Sequence, residues 1–111
     1  MTKEQLRNYR ALKKEHDRTE QRLRSMEKRP ECGQETLRPL KELYVTKLAA
    51  LVEAILSVEA AIETLDPTER ELVRLRYIDG LPWFKVTAAI NYSEQQTHRI
   101  HARVLQKLKK L

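Results

Sequence analysis

Residues 66–111, DPTERELVRLRYIDGLPWFKVTAAINYSEQQTHRIHARVLQKLKKL, decide the fold of this chain. Asp66 is a helix cap, and Pro67 stands at the first helical position, where a missing N–H costs little. Glu69 follows three residues after the cap, as a capping box requires. The run stops at Asp79-Gly80-Leu81-Pro82, because Gly80 takes positive φ and Pro82 cannot extend a hydrogen-bonded ladder. A short helix is expected over residues 83–90, then a turn at Asn91-Tyr92. Ser93 caps the final helix, and Gln96 completes a second capping box. Two helices joined by so short a turn, the second one basic, make a helix–turn–helix, the motif that lays its second helix in the major groove of DNA.

The same stretch resembles the C-terminal helix–turn–helix of bacterial sigma factors, region four. Within that class it is similar to small phage and prophage transcriptional regulators of the ArpU and RinA kind. The resemblance rests on ERELVRLRYIDGL, a two-helix unit, and YSEQQTHRIHARVLQKLKK. A hydroxyl residue caps the recognition helix, a basic residue precedes Ile100, and an Arg/Lys-rich helix ends in Leu-x-Lys-Leu. It covers 46 of the 111 residues. Val86-Thr87 stands where sigma factors usually carry Ile-Gly or Ile-Ala, and Asn91 where they carry Gly. Asn tolerates the left-handed conformation, so the turn survives. Glu94 and Gln95 replace a common Arg and Glu, so sigma promoter specificity does not transfer. The resemblance implies a regulator of phage or prophage genes, with double-stranded DNA and RNA polymerase as partners. The chain shows no second sigma-like domain with an aromatic strand-melting segment, which implies recruitment of polymerase and not promoter opening.

Composition points the same way. With 5% aromatic and 34% charged residues and only two glycines, long amphipathic helices are favoured over a sheet. The fold class expected is all-α, an N-terminal antiparallel helical hairpin over residues 1–65 followed by a three-helix domain over residues 66–111. No apolar run is long enough to span a bilayer and no signal-peptide core is present, so a cytoplasmic protein is expected. The single Cys32, in Pro30-Glu31-Cys32-Gly33, is expected to be an incidental free thiol in a loop.

The charge of +6 is unevenly spread. Residues 1–30 hold 10 Lys/Arg against 5 Asp/Glu, residues 31–65 hold 3 against 6, and residues 66–111 hold 9 against 5. A basic first helix therefore complements an acidic middle, which suits a hairpin. Arg99, Arg103 and Lys107 recur every fourth residue and are expected to line one face of the last helix, where cations neutralise phosphates. The bland alternative is a solvated helix end whose cations meet the dipole.

Thr2 and Gln5 form a capping box, and nothing breaks the run until Pro30, so a first helix is expected over residues 2–28. Its seam is Tyr9, Leu12, His16, Thr19, Leu23 and Met26. His16 is expected to be a hydrogen-bonded or partly solvated helix residue. Thr36 is the expected cap of the second helix, with Pro39 in its first turn. That helix carries a heptad of Tyr44, Leu48, Leu51, Ile55, Val58, Ile62 and Leu65, flanked by Val45, Val52, Ala54 and Ala61. So wide an apolar face needs more than one partner. The first helix covers part of it, and oligomerisation through Tyr44, Leu48, Leu51, Ile55, Val58 and Ile62 into a homodimer is expected to cover more. The alternative is a monomer in which the C-terminal domain packs back onto the hairpin.

Geometry chooses the DNA-contacting residues. The first turns of a recognition helix reach base edges, which selects Glu94, Gln95, His98 and Arg99. Ser93, Gln96, Arg103 and Lys107 are then the phosphate contacts that fix register. Thr97, Ile100, Val104, Leu105 and Leu108 face the protein. Of Trp83 and Phe84, at least one is expected to pack against Leu72, Val73 and Ile100. His98 and His101 lie three apart but lack a third ligand, so no metal is expected. No phosphate-binding loop, dinucleotide turn, nucleophile triad or pocketed carboxylate pair is present, so neither enzymatic activity nor a cofactor is expected. A DNA-packaging adaptor of the small terminase kind, or a module that binds polymerase without reading DNA, are the alternatives to a regulator.

Overall fold

Local capping chemistry sets most helix boundaries in the computed structural model, which describes residues 1–28 and 34–111. Six α-helices follow in order: α1 (Lys3–Arg7), α2 (Tyr9–Glu27), α3 (Gln34–Glu63), α4 (Pro67–Val73), α5 (Trp83–Ile90) and α6 (Glu94–Lys109). No strand occurs among the described residues, and the fold is all-α as the composition predicts. The chain divides into two compact units, Met1–Arg10 with Ser57–Leu111, and Ala11–Leu56. The unit that carries the helix–turn–helix is thus wider than residues 66–111, taking in the first ten residues and the end of α3.

The Thr2 box forms, with the Thr2 N–H donating to Gln5 Oε1 at 2.8 Å. The first helix is nonetheless interrupted at Asn8, whose ψ of −8° flattens the turn between α1 and α2. In the unit Ala11–Leu56, α2 and α3 run antiparallel. Lys47 bonds Glu15, while Arg18, Gln21, Arg22, Ser25 and Met26 lie beside Leu40 and Tyr44. His16 bonds Asp17 at 3.0 Å, a partly solvated helix residue as expected. The helix α3 begins at Gln34, two residues before the expected cap Thr36, which places Pro39 in its second turn. Pro30-Glu31-Cys32-Gly33 lies outside the described residues.

The other unit has the denser core. Leu6, Ile62, Leu72, Val73, Val86 and Val104 are fully buried, joined by Tyr9, Val58, Leu65, Ile90, Ile100 and Leu108. Each fully buried aliphatic side chain of this size contributes about 1.5–3 kcal/mol of transfer free energy. Polar ties reinforce it: the Tyr9 hydroxyl donates to Glu59, and Arg74 reaches Glu59 at 3.2 Å and Glu63 at 2.8 Å. Val58 and Ile62, expected between protomers, are instead buried within a single chain. They lie at the end of α3 that joins this core, so they are withdrawn from any dimer seam.

The helix α4 does not stop at Val73. It widens into a π-helical turn over Arg74–Ile78, with the Asp79 N–H donating to the Arg74 carbonyl at 2.8 Å. Gly80 then takes φ +72°, and Asn91 ends α5 at φ 64°, ψ 35°. Both are the left-handed residues that the two turns require.

Candidate nucleic-acid interface

The last helix is held on one face and free on the other. Thr97, Ile100, Val104 and Leu108 are buried, and Leu105 is half-buried. The Thr97 hydroxyl also donates to the Ser93 carbonyl at 2.8 Å. At about 100° per residue, the direction opposite this face belongs to Gln95, Arg99, Ala102 and Gln106. Glu94, Gln95, His98 and Arg99 are all exposed, and Gln95 and Arg99 point most directly outward. The Ser93 box forms in both directions: the Gln96 N–H donates to Ser93 Oγ at 3.1 Å and the Ser93 N–H to Gln96 Oε1 at 3.2 Å. Both side chains are therefore engaged in capping, which fixes the first turn.

Arg103 and Lys107 have an intramolecular role that periodicity does not reveal. Arg103 Nε lies 3.1 Å and Lys107 Nζ 2.8 Å from the carboxylate of Glu69, which has no exposed surface. Lys107 also reaches Asp66 at 3.4 Å. Four residues turn a helix through about 400°, so a row spaced by four drifts about 40° at each step. Two steps carry the row from the outward Arg99 to the side of α6 that faces the start of α4. Glu69 further accepts the Asp66 N–H at 3.0 Å, the reach-back half of the α4 box. Burial alone would raise its pKa, but hydrogen bonds from Lys107, the Asp66 N–H and Arg103 hold it below the usual carboxylate range.

On the opposite flank of α6 a basic, aromatic cleft of about 440 Å³ opens, lined by Lys3, Arg7, Arg10, Arg76, Tyr77, Gly80, Trp83, His98 and His101. Trp83 forms its wall instead of entering the aliphatic core: its ring lies 4.7 Å from His101 and 5.0 Å from His98, with the Arg76 guanidinium 4.6 Å over it. Arg76 also donates to the Leu81 carbonyl at 3.0 Å. Phe84 projects outward, 72% exposed. Phe84 therefore does not pack against Leu72, Val73 and Ile100. The residues that sequence reasoning missed are Lys3, Arg7, Arg10 and Arg76. A signal existed for three of them, since positions 3, 7 and 10 share one helical face.

Within the cleft, His101 Nε2 and the Tyr77 hydroxyl are hydrogen-bonded at 2.6 Å. Burial lowers the His101 pKa to about 4, helped by Lys3, His98, Arg76 and Arg7. A histidine depressed in the fold stabilises above its unfolded pKa of about 6.5 and loses that contribution as pH falls toward 4. Discounted for solvent screening, the loss between these limits is about 2 kcal/mol. Urea midpoints should therefore fall from pH 6.5 to pH 4 in the wild type and change less in His101→Gln. Parallel curves for the two proteins would show that His101 does not carry this acid sensitivity.

A helix capped at Ser93, set across a left-handed turn from α5 and anchored by four buried side chains, defines a helix–turn–helix domain. Residues 61–110 match the family model described as Sigma-70, region 4, a domain type that binds DNA and RNA polymerase. No curated protein and no solved structure matches the chain. Among the described residues, no helix is long and apolar enough to cross a membrane.

Proposed function

We propose that this chain is a sequence-specific DNA-binding transcriptional regulator of the small phage and prophage kind, with α6 in the major groove. The observation that supports it most is the outward presentation of Gln95 and Arg99 from a capped, core-anchored helix in a domain matching sigma region 4. Gln can pair bidentately with adenine and Arg with guanine, while Glu94 and His98 flank them. RNA polymerase is the second partner, recruited to the bound site. Selection from random duplexes, followed by fluorescence anisotropy on the enriched sequence, tests this. A consensus bound at least a hundredfold more tightly than a scrambled duplex is expected; recovery of no consensus would overturn the reader.

The exposed Phe84 favours a second reading, a module that docks on protein, because a large exposed ring is a typical interface anchor. It gains ground if polymerase is captured while duplexes are ignored.

The regulator acts as a homodimer in this proposal, but through a different row of α3. Val45, Val52 and Leu56 are exposed and, with Ala49, repeat at steps of four, three and four. That is a heptad seam left open in the single chain. Tyr44, Leu48, Leu51 and Ile55 are half-buried and flank it. Leu56→Asp should give a monomer by light scattering with unchanged helical circular dichroism, since Leu56 is 60% exposed. A wild-type monomer at micromolar concentration would remove the dimer, and a ring of eight to ten copies would favour a packaging adaptor.

A further inference from the structure

We infer that the cleft between α1, the first turn of α2, the π-helical turn, α5 and α6 holds a backbone phosphate of the DNA beside the major-groove site, with Lys3 and Arg10 as its direct ligands. The inference rests on the DNA-binding proposal above. Four cations line the cleft and no carboxylate does. Arg7 is paired with Glu4 at 3.5 Å, and Arg76 is engaged by the Leu81 carbonyl and the Trp83 ring. Lys3 and Arg10 have no hydrogen bond or ion pair among the described residues. Uncompensated cations held this close repel one another, and an anion placed among them removes that cost.

Position selects the source of the anion. His98 belongs at once to the cleft wall and to the first turns of α6, so an anion seated here lies next to the strand whose bases α6 would face. Arg103 and Lys107, the cations expected from sequence to hold phosphate, are turned toward Glu69. The first ten residues, which lie outside the sigma-like match, thus supply a phosphate clamp that the helix–turn–helix leaves open on this flank. Such a clamp fixes register and carries no base information.

The test is the salt dependence of anisotropy on the selected duplex and on a scrambled one. Lys3→Ala/Arg10→Ala should lower the slope of log affinity against log salt by about one, for the one phosphate no longer neutralised, and weaken both duplexes alike. Both side chains are exposed, so circular dichroism should be unchanged. Lys13→Ala/Lys14→Ala removes the same charge from outside the cleft and should leave the slope near that of the wild type. An unchanged slope in the cleft variant, or an equal fall in the control, overturns the inference while the DNA reader stands. If the wild type binds no duplex, the reader fails and takes this inference with it. Trp83 is the only tryptophan. Quenching of its fluorescence by inorganic phosphate alone, with a slope indifferent to Lys3 and Arg10, would mark a free-phosphate site and also overturn it.

Discussion

Glu69→Ala is expected to lower the unfolding free energy by about 2 kcal/mol, combining a lost helix cap with lost charge-assisted hydrogen bonds. Glu69 joins three otherwise separate groups, the Asp66 N–H, Arg103 and Lys107. Arg103→Ala/Lys107→Ala should be more damaging than Glu69→Ala, because it strands a buried carboxylate where Glu69→Ala only frees two cations into solvent. Adding Glu69→Gln to the double variant should then recover stability, since a neutral amide of the same size needs no cation. Because the Glu69 pKa is depressed in the fold, its contribution is full above the unfolded carboxylate range. It is lost as pH falls through the folded value. Urea denaturation at pH 7 and at pH 3 measures both effects. A Glu69→Ala protein as stable as the wild type at pH 7, or no rescue by Glu69→Gln, would remove the buried ion pair from the account of this fold.

The parts of the structure that are legible in the sequence are those governed by neighbours a few residues apart. The Thr2 and Ser93 boxes, the left-handed Gly80 and Asn91, and the buried row Thr97, Ile100, Val104 and Leu108 all follow from local stereochemistry and helical period. The failures share a different cause. Arg103 and Lys107 find a partner 34 and 38 residues away, and nothing in a four-residue repeat names it. Val58 and Ile62 look like the rest of their heptad, yet the core that buries them is built from both ends of the chain. The π-helical turn at Arg74–Ile78 has no local signature, although it carries Arg76 and Tyr77 into the cleft. Hydrophobicity alone gives no hint that the Trp83 ring meets two imidazoles and a guanidinium in the cleft wall.

These long-range pairings divide the basic character of the domain into two kinds. The cations at the far end of α6 hold the domain together, whereas Lys3 and Arg10 line the cleft and Arg99 faces outward. Net charge alone could not separate them, since both kinds lie in strongly basic segments. The proposed DNA face is therefore smaller than the whole basic stripe and includes residues from outside the helix–turn–helix.

Gln95→Ala and Arg99→Ala should each cost roughly 1–3 kcal/mol on the selected duplex and almost nothing on a scrambled one, flattening discrimination between sequences. Both side chains are exposed on the face opposite the buried row of α6. Circular dichroism and melting temperature should accordingly stay at wild-type values, which separates this loss from a folding defect. Arg103→Ala and Lys107→Ala supply the contrast. If they act through Glu69, they lower the melting temperature and weaken both duplexes only as far as the folded fraction falls. If they also hold phosphate, the salt slope of the folded protein drops by about one for each phosphate no longer neutralised. Anisotropy at several salt concentrations, with unfolding measured alongside, distinguishes these outcomes. Equal losses on both duplexes for Gln95→Ala and Arg99→Ala would make α6 an electrostatic clamp and remove sequence reading from the proposal. No loss on either duplex would move the exposed Phe84 face, and with it a protein partner, to the front.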